Sequence, residues 1–403
     1  MAIMDDRRYI EMISEVEEKI LRTLGEMISI RTINPPGINY PDFIKYTEIL
    51  LKEWKIEYKI IQGPAENEDR TSIIGKIGGN NRKSVHFHGH YDVVPAENDA
   101  QFKPYLKDGR FYGRGSSDMK GGIVSMLYAL KFFNENRYSL GGTLTFSLVP
   151  DEETGGEGGM RYLSKNGFLP LDGCAGMIMP EPSGGVIWNA SKGALTMKVS
   201  IEGKYAHIAL ADDGVNAFEN MTLAAGSLIK LKDKISKRIT SLPVIPEGAK
   251  KSVMLIGGKS GSGMNFNTVP DKAWFTIDRR FNPEENLDDV KQEIIDLLEK
   301  EKSLGIGLTY EILQEGESSL SSHENPLGRA LAEAACEITG ESPRFELCPG
   351  LLETRFFSKY EIPAYAYGPG LLEVSHGPEE FVDVKSLVNC TSIFISAINK
   401  FFV

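Results

Sequence analysis

The chain has 403 residues, a formal net charge of −11, 41% hydrophobic and 25% charged residues, and four cysteines. It is long enough for two domains with a sizeable core. Its acidity excludes nucleic acid or an anionic membrane as the main partner, because both call for a basic face. Cys174, Cys336, Cys348 and Cys390 show no Cys-x-x-Cys spacing, which argues against a thiolate zinc site or a redox pair. Residues 1–18 are charged throughout, and no run reaches 18 apolar residues, so a cytoplasmic protein is expected.

Ile10, Ile13, Val16, Ile20, Leu21, Leu24 and Met27 recur at spacings of three and four, which predicts one amphipathic helix over 9–30. Asn34-Pro-Pro-Gly37 ends it, and a second helix is expected over 42–54. Short strands follow at 57–61, 71–77 and 84–89. The last of these places His86, His88 and His90, three of the six histidines, on one strand face and runs into Asp92. Gly113-Arg-Gly-Ser-Ser-Asp118 is a tight loop opening a helix over 120–133. A buried strand at 143–149 leads into Pro150-Asp-Glu-Glu-Thr-Gly-Gly156, and a further helix and a strand at 175–179 continue the alternation. This is an α/β pattern, with helices covering a largely parallel sheet.

The pattern changes after Gly193. Residues 194–202 read as an exposed-edge strand, 215–232 as a helix, 274–280 as a strand, 287–300 as a helix and 308–313 as a strand. These five elements are one strand short of the β-α-β-β-α-β order of a ferredoxin-like α+β insert, which is the expected fold here. Helix and strand resume from 326, so the expected plan is a split domain, 1–192 and 313–403, interrupted by a smaller one at 193–312.

In parallel α/β sheets, ligands gather at the carboxyl ends of strands. Those positions carry His90 with Asp92, Asp118, Glu152 with Glu153, Glu181 in Met-Pro-Glu-Pro, and His376 in Ser-His-Gly-Pro-Glu-Glu. One ligand from each of these five positions, two histidines and three carboxylates in all, suits Zn²⁺, with Co²⁺ or Mn²⁺ as substitutes. Five donors exceed one tetrahedral zinc but suit two ions sharing a carboxylate, each keeping an open position. Gly113–Asp118 is no dinucleotide fingerprint, since an aspartate stands where the third glycine belongs.

Gly-His-Tyr-Asp-Val-Val-Pro, Tyr-Gly-Arg-Gly-Ser-Ser-Asp-Met-Lys-Gly-Gly, Pro-Asp-Glu-Glu-Thr-Gly-Gly and Ser-His-Gly-Pro-Glu-Glu, in this order, resemble the co-catalytic zinc peptidases and deacylases of the acetylornithine deacetylase, succinyl-diaminopimelate desuccinylase and carboxypeptidase G2 type (the M20 type). The resemblance spans nearly the whole chain. It implies that His90 and Glu181 hold one zinc and Glu153 and His376 the other, with Asp118 bridging. Asp92 would orient His90, and Glu152 would act as general base toward a metal-bridging hydroxide. It further implies a lid and dimerisation role for the insert. There His207 of Gly-Lys-Tyr-Ala-His would donate to the oxyanion, and Asn267 and Arg280 would hold substrate, with Gly350 alongside from beyond the insert. The implied protein is a cytoplasmic homodimer, through the insert, with two Zn²⁺ per subunit. Its substrate would be a small N-acyl amino acid or short peptide. A carboxypeptidase or dipeptidase with the same site, or a metabolite-binding member without catalysis, are the alternatives.

The chain departs from the family at two anchors. Gly350-Leu-Leu-Glu-Thr-Arg355 stands where desuccinylases and acetylornithine deacetylases carry Gly-Thr-Ser-Asp-Ala-Arg, and Ser191 stands where desuccinylases carry an arginine. Both changes disfavour a doubly charged acyl group and favour an apolar side chain. His86 and His88 have no motif role and are expected in the core or behind the ligands. His323 is expected on the surface, and Arg114 and Lys120 are expected to fix loops.

Overall fold

The computed structural model describes residues 6–67, 69–78, 83–136 and 140–402, so the start of the charged stretch 1–18 lies outside the described residues. The chain divides into two compact units, described here separately. One comprises 1–189, 320–345 and 353–403; the other comprises 190–319 and 346–352. No helix among the described residues is long and apolar enough to cross a membrane.

The sheet of the first unit runs, in spatial order, through Glu57–Ile61, Ser72–Gly78, Thr143–Val149, Ser84–His90, Cys174–Met179, Ala364–Ala366 and Ile187–Ser191. Its centre is parallel: Ser84–His90 pairs in parallel with strands on both sides, and Ala364–Ala366 continues that sense. The first two strands and Ile187–Ser191 pair antiparallel at the flanks. Every residue of Ser84–His90 is buried, as expected of a strand with helices on both faces. Helix Lys120–Glu135 is buried on nearly every side. Gly122 permits its approach, because a Cβ there would lie 2.0 Å from the Pro180 carbonyl oxygen. Gly122→Ala would therefore push the helix away from the strand end that delivers Glu181.

A small antiparallel sheet, Tyr105–Lys107, Arg110–Tyr112 and Phe381–Asp383, ties the segment before Asp118 to the segment after His376. The single helix expected over 9–30 is two, Asp6–Ser14 and Glu17–Ser29. No proline or glycine marks the break, which is why periodicity alone ran through it.

The second unit contains Gly193–Glu202, helix Ala217–Ile235, Val253–Ser262, Lys272–Phe281, helix Leu287–Ser303 and Leu308–Gly316 in chain order. Its four-stranded antiparallel sheet places the second of these strands at one edge, followed by the third, the first and the fourth. This is the ferredoxin-like order. Gly193–Glu202 is therefore a central strand, not an exposed edge. Its alternation of buried Leu195, Met197, Val199 and Ile201 with more open Lys198 and Glu202 marks one solvated sheet face.

Candidate metal centre

Five segments of the first unit bring candidate metal-ligand side chains together. His90 ends its strand with 1% exposure, its Nε2 3.2 Å from Asp118 Oδ1 and 3.7 Å from Glu181 Oε1. His376, more open, sets its Nε2 3.2 Å from the Glu153 carboxylate and 3.5 Å from Asp118 Oδ2. Asp118 thus faces both histidines, one with each oxygen. Potential ligand atoms of His90, Asp118 and Glu153 all lie within 4.8 Å of one another. The other ring nitrogen of His90 faces Asp92, at 3.2 Å from its backbone oxygen and 3.4 Å from its carboxylate, which fixes the ring with Nε2 toward the cluster.

Asp92 does more than orient that ring. Its two carboxylate oxygens accept the backbone N–H groups of Glu152 and Glu153, both at 3.2 Å, and it accepts from Asn34 Nδ2 at 2.8 Å. One buried aspartate thereby fixes both the histidine and the turn carrying the two glutamates. Asp151 in that turn has φ 67° and is held by the Arg70 guanidinium and by the Tyr40 hydroxyl at 3.1 Å.

The electrostatics of the cluster call for cations. Burial, and then the neighbouring carboxylates, push Glu152 up to about 7 and Glu153 up to about 8, although His90 and His376 pull the other way. Glu181 is driven well above the carboxylate range by burial and by Asp118. Burial also raises Asp118, but hydrogen bonds from His376 and His90 outweigh it and hold the group below its usual range. His376 is lifted to about 10 by Asp118 and Glu153; His90 rises well above its ordinary value despite burial, through Asp118 and Asp92. In the bare polypeptide, protons on imidazoles and carboxyls thus relieve a crowd of like charges. Five carboxylates, Asp92, Asp118, Glu152, Glu153 and Glu181, surround two imidazoles. This N and O donor set fits a pair of divalent ions.

The model of peptidase family M20/M25/M40 matches residues 86–400. The chain belongs to that family. It is a metal-dependent hydrolase of amide bonds. A probable succinyl-diaminopimelate desuccinylase of Staphylococcus epidermidis is 27% identical to this M20 chain over 393 residues, covering 91% of it and 93% of the relative. The M20 family metallo-carboxypeptidase Sso-CP2 from Sulfolobus solfataricus shares its fold with a TM-score of 0.80 at 17% identity, covering 95% of this chain and 99% of the other. The Bacillus subtilis YXEP protein, a dinuclear metal binding peptidase from the M20 family, aligns with a TM-score of 0.68 at 17% identity, over 96% of this chain and 98% of the other.

The remaining candidate residues of this M20 hydrolase lie in the second unit. His207 is exposed, and its Nδ1 accepts the Ala209 N–H at 3.2 Å. It pairs with Thr268 across two short strands, and the Asn267 carbonyl accepts the Ile208 N–H at 3.1 Å, so His207 and Asn267 are brought together. Asn267 Oδ1 is buried and has no hydrogen-bond partner among the described residues. Arg280 is held by Asp278 through Nε at 2.8 Å and Nη2 at 3.2 Å. The Gly350 carbonyl accepts the Lys192 N–H at 3.1 Å.

Arg114 fixes loops as expected, while its partner Glu380, within the Ser-His-Gly-Pro-Glu-Glu motif, was assigned no role from sequence. Glu380 is 2% exposed and accepts the backbone N–H groups of Gly115, Ser117 and Asp118, each at 3.0 Å, with the Arg114 guanidinium at 2.7 Å. Arg114 also donates to the His376 carbonyl at 3.1 Å, linking the segments that carry the candidate ligands Asp118 and His376. Lys120 fixes a different loop, donating to the Met27 and Ile30 carbonyls at 2.9 and 2.8 Å. His323 is on the surface beside Glu324.

Proposed function

We propose that this M20 hydrolase cleaves the amide bond of an N-acyl amino acid or short peptide bearing a free carboxylate, at a centre of two divalent ions, with zinc the first candidate. His90 and Glu181 would hold one ion, Glu153 and His376 the other, and Asp118 both. The observation carrying the reading is Asp118 facing both histidines, with Glu153 and Glu181 beside it. When bound, such ions polarise a carbonyl and acidify a water. Glu152 takes that water's proton and returns it to the leaving nitrogen. In the metal-free chain, burial with the neighbouring carboxylates raises it to about 7, so it takes up a proton more readily than an exposed glutamate. Asp92 holds the Glu152 and Glu153 backbone amides and His90 together, so base and ligands keep their spacing.

His207 would donate to the oxyanion across a homodimer, while Asn267, Arg280 and Gly350 would hold the substrate. A substrate carboxylate would have to draw the Arg280 fork away from Asp278 or share it. Leu351 and Leu352 favour an apolar substrate over an acyl-diacid, although the desuccinylase relative is the closer analogy in sequence. A carboxypeptidase or dipeptidase reading uses the same centre and is kept open by the likeness to Sso-CP2. The test is a panel of succinyl-diaminopimelate, acetylornithine, N-acetyl amino acids and dipeptides, each assayed after chelation and after adding Zn²⁺ or Co²⁺. Chelation should abolish turnover and metal should restore it. Turnover that survives complete metal removal refutes the mechanism.

A further inference from the structure

His86 and His88 stand outside the donor set, yet each uses both ring nitrogens. Thr145 Oγ1 lies 2.9 Å from His86 Nδ1, and Ser147 Oγ lies 2.8 Å from His86 Nε2 and 2.7 Å from His88 Nδ1. His88 Nε2 lies 2.6 Å from Glu353 Oε2. Both histidines, Ser147 and Glu353 are fully buried. Both rings are fully buried, and apart from Glu353 their hydrogen-bonding partners are hydroxyls, an environment that disfavours a charged imidazole. A neutral imidazole has one N–H and a hydroxyl one O–H, so setting one end of the chain sets the rest. With Glu353 ionised, His88 donates to the carboxylate, Ser147 donates to His88, His86 donates to Ser147, and Thr145 donates to His86. Each donor is used once, and the carboxylate terminates the series.

The other oxygen of Glu353 is the informative one. Oε1 is buried and has no hydrogen-bond partner among the described residues. It lies against Gly156, where a Cβ would come within 2.7 Å, in the loop that carries Glu152 and Glu153. The charges bearing on this carboxylate are Arg355 and His90 on the positive side, against Asp92, Asp151 and Glu152. Burial, with Asp92 and Asp151, raises Glu353 to about 7 despite Arg355 and His90. A buried carboxylate with one idle oxygen and more negative than fixed positive neighbours is costly in the polypeptide alone. Cations at the donor cluster would remove that cost.

We infer that Glu353 is a positioning residue of the metal centre, held by the Thr145–His86–Ser147–His88 chain as a buried countercharge to the divalent ions. The inference rests on the two-metal reading above. The test compares metal-free wild-type protein with Glu353→Gln at pH 8, by zinc titration against a competing chromophoric chelator and by thermal unfolding. Glu353→Gln should weaken zinc binding about tenfold, while the Tm of the metal-free variant stays level or rises. Glu353→Asp, which keeps the charge, should bind zinc more tightly than Glu353→Gln. Ser147→Ala, which cuts the chain but keeps the charge, should weaken binding about threefold. Equal zinc affinity in wild type and Glu353→Gln overturns the inference, as does a lowered metal-free Tm with unchanged affinity, which marks a merely structural carboxylate. A wild type that fails to bind two divalent ions overturns the two-metal reading instead.

Discussion

Glu380→Gln removes one charge and changes one atom, yet it should disturb the centre from behind. The carboxylate now accepts two N–H groups on Oε1, from Ser117 and Asp118, and two on Oε2, from Gly115 and Arg114. A glutamine must turn its amide nitrogen toward one of these pairs, so two bonds are lost in either orientation. Hydrogen bonds to a charged group contribute about 1.5–3 kcal/mol each, which gives a loss of about 3–6 kcal/mol. An independent route, neutralising one partner of the buried Arg114–Glu380 pair, gives about 3–5 kcal/mol. Spread over a unit of this size, that is a fall in Tm of roughly 10 °C. Because Asp118 faces both histidines and Arg114 grips the His376 carbonyl, metal affinity should fall by about tenfold or more as well. Thermal unfolding of the metal-free protein, with metal stoichiometry after dialysis, measures both. A Tm within about 2 °C of wild type together with full metal retention would refute the reasoning.

Glu152→Gln should keep both metals and lose about 10²–10⁴-fold in kcat; a variant that loses metal instead shows that base and ligand were confused. Glu285 in the second unit is raised by burial, but hydrogen bonds from Ser252 and Arg238 and the charge of Arg279 outweigh this and lower it. Its stabilisation is therefore present above the ordinary carboxylate range and lost as pH falls below it. Glu285→Gln should lower stability by about 3 kcal/mol at pH 7, and the gap to wild type in denaturant titrations should close on acidification; a gap independent of pH refutes the assignment. Mixing inactive His207→Ala with inactive Glu152→Gln should recover part of the activity if His207 acts across a dimer, and no recovery would place it in its own subunit or in a monomer.

The proposed donors His90, Asp118, Glu153, Glu181 and His376 were legible because a metal site needs N and O atoms at strand ends, and these residues stand beside turn residues that mark those ends. Their supports were not legible. Glu353 meets His88 across 265 positions and Glu380 meets the Asp118 amide across 262, and spacing says nothing about such partners. Local patterning also misread two elements of the second unit. Val253–Ser262 holds Gly257, Gly258 and Gly261 and a register shift between Ile256 and Ser260, so its alternation is broken and no strand was assigned there. Gly193–Glu202 looked like an edge because its alternation reports which face is wet, and that is silent on how many neighbours a strand has.

His90 and His376 bracket the entire second unit in the chain, as do the two portions of the first unit's sheet. Closing so long a loop is entropically slow even when its final cost is modest. A nascent chain released before residue 376 would hold at most four of the five proposed donors. Under the proposed ligand set, a full complement of metal would signal that synthesis has passed residue 376 and that the separated portions of this unit have met.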